Sequence, residues 1–145
     1  MGERVIMNRE ILFKAKRKDN GEWVEGYVVA YPSGKVEIHK ISKELPDILL
    51  KCEIAPSTLC QYTGLTDKND KKIWENDIIS ISAYSYDEPE DDYFGVVTYC
   101  EKDACWSLNN NEKYGEIICE CFGSYTTEII NHGNIFDNPE LLEVE

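Results

Sequence analysis

The stretch Leu59–Ser82, LCQYTGLTDKNDKKIWENDIISIS, constrains the fold most, because it alternates strand-forming runs with turn chemistry at short spacing. Leu59–Leu65 carries Tyr, Thr and Leu, side chains suited to a half-buried pleated surface. Thr66–Lys72 is almost wholly polar and reads as an exposed connection. Within it Lys68-Asn69-Asp70 forms a tight turn, since Asn and Asp tolerate positive φ better than most residues. Ile73 and Trp74 then offer large apolar surface. Glu75-Asn76-Asp77 is a second turn, with Asn76 as its left-handed residue, and Ile78–Ser82 alternates apolar and hydroxyl side chains after Ile79, as a strand does. The expected order is strand, turn, buried aromatic anchor, turn, strand. Tyr62, Gly64, Trp74, Asn76 and Asp77 make up this corner, and the Asp77 carboxylate is placed to accept backbone N–H bonds from its own turn.

The same stretch resembles the YopX family, small proteins encoded by bacteriophages and prophages. The matching residues are Gln61, Tyr62, Thr63, Gly64, Leu65, Asp67, Lys68, Asn69, Lys71, Ile73, Trp74, Glu75, Asp77 and Ile78. Two departures stand in the turns, where Asp70 and Asn76 replace the family's glycines; both belong to the few non-glycine residues that visit left-handed backbone space. The tail Gly133-Asn134-Ile135-Phe136-Asp137-Asn138-Pro139-Glu140-Leu141-Leu142 and the start Arg9-Glu10-Ile11-Leu12-Phe13-Lys14-Ala15 match the family's pattern as well. The resemblance implies a β-rich protein with a small SH3-like barrel, of phage or prophage origin, acting in the cytoplasm of an infected or lysogenic bacterium. It implies no activity, because the family is largely uncharacterised.

Along the rest of the chain, Glu10–Lys18 alternates, with Ile11, Phe13 and Ala15 on one face and Leu12, Lys14, Lys16 and Lys18 on the other. Asp19-Asn20-Gly21-Glu22 is the strongest hairpin signal, and Asn-Gly suits a type I′ turn. Trp23–Tyr31 returns as partner strand, Pro32-Ser33-Gly34-Lys35 turns again, and Lys35–Ile41 follows as a third strand. Asp47–Ile54 reads as a short strand or one helical turn, and Pro56 with Ser57 suggests a boundary. The expected architecture is therefore mainly β: an antiparallel meander over residues 1–56, a small barrel over 57–145, the two packed together or separate, and a short C-terminal helical turn. That turn starts at Asn138-Pro139-Glu140, with Asn as N-cap and Pro in the first helical position. Tyr93–Cys100 is a strand in which Gly95 marks a bulge. Ala104–Leu108, Tyr114–Phe122 and Tyr125–Asn131 are further strands.

Charge is unevenly placed. The net charge over 145 residues is −13. Residues 1–56 hold ten Lys/Arg and nine Asp/Glu, a net of +1, whereas residues 57–145 hold five and nineteen, a net of −14. The acidic half repels a phosphate backbone, so direct nucleic-acid binding through it is not expected. No run of 18 apolar residues suggests a membrane span, and residues 1–8 read as a loosely held leader without an export signal.

The candidate sites are few. Lys14, Lys16 and Lys18 with Trp23 could form an anion-binding patch, or a solvated strand face pairing with Glu22 and Glu25 across the hairpin. Asp87, Glu88, Glu90, Asp91 and Asp92 crowd one loop, which reads either as a cation or partner site or as a solubilising segment; EF-hand spacing is absent. Cys100, Cys105, Cys119 and Cys121 could converge on zinc, although a C-x-C pair on one strand is a poor chelate. Otherwise these thiols, with Cys52 and Cys60, are small apolar side chains in a reducing compartment. His39 and His132 lack a nucleophile motif beside them, and no phosphate-binding or dinucleotide fingerprint appears, so neither an enzyme nor a cofactor is expected. What remains is a protein-interaction module with an unidentified protein partner, host proteins included, and strand edges open to oligomerisation. The alternatives are an acidic nucleic-acid mimic that blocks a host nucleic-acid-binding protein, and a nucleic-acid-binding barrel working through Lys14–Lys18.

Overall fold

The computed structural model describes residues 9–42, 44–45, 48–84, 91–102, 104–109 and 126–143. The chain divides into two compact units, residues 1–64 and 65–145, and both are built from antiparallel strands.

In the first unit, strands β1 (Phe13–Lys16), β2 (Trp23–Ala30), β3 (Val36–Ile41) and β4 (Leu49–Glu53) form the expected meander. The segment left open between strand and helical turn is thus a strand. A single 3₁₀ turn, Pro56–Thr58, leads into β5 (Cys60–Thr66), whose first residues pair with the other side of β1 (Phe13 opposite Gln61, Lys14 opposite Cys60). Period-two alternation sends Ala15, Val24, Ile38 and Ile54 into the core, with Phe13, Val28, Val36, Cys52 and Leu59 packed against them. The β1–β2 connection is not the expected type I′ turn. Arg17 N–H donates to Glu22 O at 2.8 Å and Gly21 N–H to Arg17 O at 2.9 Å, which closes a longer loop. Type I′ needs positive φ at both central residues, and Gly21 (φ 74°) has it while Asn20 does not. The Asn20 side chain instead accepts the Glu22 N–H at 2.9 Å, a local bond that holds the wider loop.

In the second unit, the end of β5 turns through residues 67–71 into β6 (Lys72–Trp74). Strands β7 (Asp77–Tyr84), β8 (Asp91–Cys100), β9 (Cys105–Asn109) and β10 (Thr126–Asn134) form a sheet in the order β10-β7-β8-β9. Its core is Ile73, Ile79, Ile81, Val97, Leu108 and Ile129, covered by Leu65, Tyr93 and Trp106. Gly95 lies in regular register opposite Ile79; the bulge falls in β10 between Asn131 and Gly133. The expected strand Tyr114–Phe122 lies outside the described residues.

Both units are open sheets, and no closed barrel is present among the described residues. Near the end of the chain Pro139–Leu142 make one 3₁₀ turn. Asn138 does not cap it with its side chain; its Oδ1 accepts the Asn134 N–H at 3.2 Å instead. Asn134 itself is buried and accepts the N–H groups of Phe136 and Asp137, each at 2.9 Å, so the tail motif is a self-bonded turn.

Candidate functional site

Two features stand out, one in each unit. The corner in the second unit takes the form that its turn chemistry dictates. Asp70 (φ 62°) and Asn76 (φ 70°) are both left-handed, so the two positions that lack glycine still adopt the glycine conformation. Trp74 between them is buried, and its backbone N–H donates to Asp77 Oδ2 at 2.8 Å. Tyr62 is buried and Gly64 has φ 88°. Two residues complete the second-unit corner that the sequence did not single out. Asp67, also buried, accepts N–H bonds from Asn69 (2.8 Å) and Lys71 (2.9 Å) at Oδ1 and from Asn131 (3.0 Å) at Oδ2. Burial pushes the Asp67 carboxyl up, but the three backbone donors from Asn131, Lys71 and Asn69 outweigh it and hold the group below the usual aspartate value. Asn131 Nδ2 in turn donates to Asp77 Oδ2 (2.7 Å) and to Lys72 O (3.1 Å). No buried side-chain polar atom among the described residues lacks a partner, so the corner aims nothing at a ligand. It fastens the fold.

The first unit presents an open edge. Strand β4 lies at the end of its sheet and pairs with β3 (Glu37 opposite Glu53, Ile38 opposite Cys52, His39 opposite Lys51, Lys40 opposite Leu50). Ile54 N–H donates to Val36 O at 3.0 Å and Ser42 N–H to Ile48 O at 2.9 Å. In an antiparallel ladder, residues alternate between bonding the neighbour and pointing away from it. Residues 48, 50, 52 and 54 therefore face β3, and residues 49, 51, 53 and 55 turn their N–H and C=O groups outward. The outward groups at 53 and 55 meet β1, where Lys18 N–H donates to Glu53 O (3.0 Å) and Ala55 N–H to Lys16 O (2.9 Å), beside an isolated bridge between Arg17 and Ile54. The sheet thus curls until the end of β4 meets the end of β1, an interior strand of the same open sheet. At Leu49 and Lys51 the outward backbone groups have no partner among the described residues. Beside them Ile48, Leu49 and Leu50 are 45%, 47% and 43% exposed.

Next to this edge lies a groove. One part, about 400 Å³, is lined by Arg17, Lys18, Asp19, Lys51, Cys52 and Glu53. An adjoining part of about 250 Å³ adds Val24, Ile38, Lys40 and Leu50. Arg17 holds Asp19 at 2.7 Å and Lys18 holds Glu53 at 3.1 Å. The Arg17 hydrogen bond keeps Asp19 below its ordinary value. Lys40 and Lys51 make no ion pair among the described residues.

Behind β4, on the β2–β3 hairpin, Glu37 Oε1 accepts the Tyr31 hydroxyl at 2.6 Å and lies 3.1 Å from His39 Nε2, and Lys35 Nζ is 3.4 Å from Oε2. The Tyr31 bond, then His39 and after them Lys35, outweigh burial and bring the Glu37 pKa down to about 2. A carboxylate with a depressed folded-state pKa contributes stability that is present above its unfolded value of 4.5 and is lost as the pH falls toward 2. Glu37→Gln is therefore expected to flatten the melting temperature of the first unit between pH 4.5 and 2 relative to wild type. Parallel pH profiles for the two proteins would refute this.

The remaining candidates separate. Lys14 and Lys16 both reach the Trp23 ring, at 4.6 and 5.3 Å from its centroid, and Lys14 stands opposite Glu25, so this face is internally matched rather than a cluster of unopposed cations. Lys18 is drawn away to Glu53. Asp87, Glu88 and Glu90 lie outside the described residues, and of Asp91 and Asp92 only the backbone, on β8, is described. Cys100 and Cys105 stand directly opposite each other across the β8–β9 hairpin, and Cys119 and Cys121 lie outside the described residues. No group of three or more metal-ligating side chains occurs among the described residues. His132 Nε2 lies 2.9 Å from Ser80 Oγ on an exposed strand face, with Phe94 tilted beside it and no carboxylate partner among the described residues. No helix among the described residues is long and apolar enough to cross a membrane.

Among solved structures, protein EF1440 from Enterococcus faecalis is similar to this chain, with a TM-score of 0.56 and 22% sequence identity over 94% of this chain and 100% of that one, a likeness of fold. No curated protein matches the chain. The family model described as YopX protein matches residues 12–143, which takes in the N-terminal meander, both turns around Trp74 and the Asn134 tail turn. The chain belongs to the YopX family.

Proposed function

We propose that this YopX domain is a protein-interaction module, an accessory protein of phage or prophage type that works in the bacterial cytoplasm and receives an extended segment of a partner as an added strand on β4. One observation carries the reading: the outward N–H and C=O groups of Leu49 and Lys51 are unbonded within the described chain, beside three exposed apolar residues. Unpaired edges invite strand addition, in which main-chain bonds supply affinity and alternate side chains supply selectivity. Folded proteins usually blunt such an edge with a proline, a bulge or a covering loop. Here the curl of the sheet protects Glu53 and Ala55 and leaves Leu49–Lys51 open.

The test uses a proline. Lys51 bonds nothing on β3 through its N–H, so Lys51→Pro removes an outward donor and leaves the β3–β4 ladder intact. Immobilised wild-type protein is expected to retain a stoichiometric partner from bacterial lysate. Lys51→Pro, with an unchanged circular dichroism spectrum, is expected to weaken that retention roughly tenfold, the worth of about one main-chain bond left unmade. Leu49→Pro provides a second variant of the same kind. Equal retention by all three proteins would overturn the assignment of the edge.

A further inference from the structure

We infer that the segment received on β4 is acidic, with carboxylates alternating with apolar residues; the inference rests on the strand-addition reading and specifies its partner. An incoming strand places successive side chains on opposite faces of the sheet. On one face its neighbours are Leu50 and Cys52, with the groove floor of Val24 and Ile38 beyond. On the other they are Leu49 and Lys51. Apolar residues of the guest therefore find apolar neighbours on either face.

Charge chooses among guests. Four cations line the two parts of the groove, against the carboxylates of Asp19 and Glu53. Those two carboxylates are already matched, to Arg17 and Lys18. Among the described residues Lys40 and Lys51 are left over, one on β3 and one on β4. A guest carboxylate directly across from Lys51 stands at the separation where opposite charges on paired strands attract, and a guest lysine there meets a like charge. The surplus of positive charge at this edge is local, since residues 1–56 as a whole carry a net of only +1. It is therefore a property of the groove rather than of a generally basic surface.

Short blocked peptides of roughly eight residues, the length of an ordinary strand, supply the probe. One alternates valine with aspartate, one alternates valine with lysine, and a third is the aspartate peptide with a central proline. Binding to the full chain is read by fluorescence anisotropy at low salt, and pairing by hydrogen exchange at the amides of Leu49 and Lys51. The aspartate peptide is expected to bind about tenfold more tightly than the lysine peptide, with the margin shrinking as salt rises. It is also expected to slow exchange at both amides and to lose its margin on Lys40→Glu/Lys51→Glu. Equal or tighter binding of the lysine peptide overturns the acidic assignment and leaves strand addition standing. Equal binding of the proline-interrupted peptide, without slowed exchange, overturns strand addition itself. Failure of every peptide to bind overturns both, as does a concentration-dependent dimer that Lys51→Pro abolishes, because a second copy of the chain would then be the occupant.

Discussion

Asp67→Ala is expected to lower the stability of the second unit by about 3 kcal/mol, a fall of roughly 6–12 °C in melting temperature for a chain of this length. The size follows from what the carboxylate holds. Two of its three backbone donors, Asn69 and Lys71, belong to the turn that makes Asp70 left-handed. The third, Asn131, comes from β10. Alanine leaves all three N–H groups without that acceptor, and hydrogen bonds to a charged group contribute more than neutral ones. The loss also carries a pH signature. The folded-state value of Asp67 is depressed, so its contribution is present above the ordinary aspartate value of 3.8 and fades as the pH falls below it. Wild type and Asp67→Ala should therefore converge in acid. Asp77→Ala touches the same network through Asn131, whose side chain bonds Asp77 Oδ2 while its N–H bonds Asp67 Oδ2. In a double-mutant cycle the two substitutions should couple by about 1 kcal/mol, since contacting sites are not additive. Urea denaturation of the four proteins measures this. A loss below about 1 kcal/mol for Asp67→Ala, or strict additivity with Asp77→Ala, would show that the corner is held elsewhere.

The difference between Asp77 and Asp67 shows what the sequence could and could not reveal. Asp77 bonds Trp74, three residues away, and that relation follows from turn chemistry alone. The left-handed Asp70 and Asn76 are likewise local, because few residue types tolerate positive φ. Asp67 also bonds Asn69 and Lys71 within its own turn, but its third donor, Asn131, is 64 positions distant, and nothing in a single chain marks such a pair. The Asn20-Gly21 hairpin misled for a related reason. Local preference favours a type I′ turn, while the register of β1 against β2, fixed by burial of Ala15 and Val24, requires a wider loop. The open edge of β4 was the least visible feature. Leu49–Glu53 reads as a strand, but whether a strand is central or at an edge depends on sheet order, which hydrophobic alternation does not encode. Lys14 and Lys16 lie against Trp23, and the groove cations that make no ion pair among the described residues are Lys40 and Lys51, which line it together with Arg17.

β2 and β3, neighbours in the sheet, approach closely at Gly26, and this leads to a second large effect. Gly26→Ala is expected to cost the first unit about 3 kcal/mol, at the upper end of what overpacking usually costs. A methyl group at Gly26 would collide with the His39 carbonyl oxygen and come within 2.9 Å of Ile38 Cγ2 and 3.1 Å of the His39 carbonyl carbon. Two of these three atoms are backbone, so no rotamer change relieves the contact, and β3 must move bodily. The glycine is not needed for its dihedral freedom, because unlike Gly21 (φ 74°) and Gly34 (φ 95°) it does not adopt positive φ. At Gly21 and Gly34 an added methyl would meet nothing, and alanine there pays only the left-handed backbone cost of about 1 kcal/mol. The expected order of loss is therefore Gly26→Ala well ahead of Gly21→Ala and Gly34→Ala, even though alanine is intrinsically the better strand residue. Displacing β3 also carries β4 with it, since the two share the register from Glu37–Glu53 to Ile41–Leu49. Gly26→Ala should then speed amide exchange along β4 before the chain unfolds. Melting curves that rank Gly26→Ala with or below Gly21→Ala would mean that β2 and β3 separate at little cost, and the groove beside Lys51 could not then be a preformed feature of the unit.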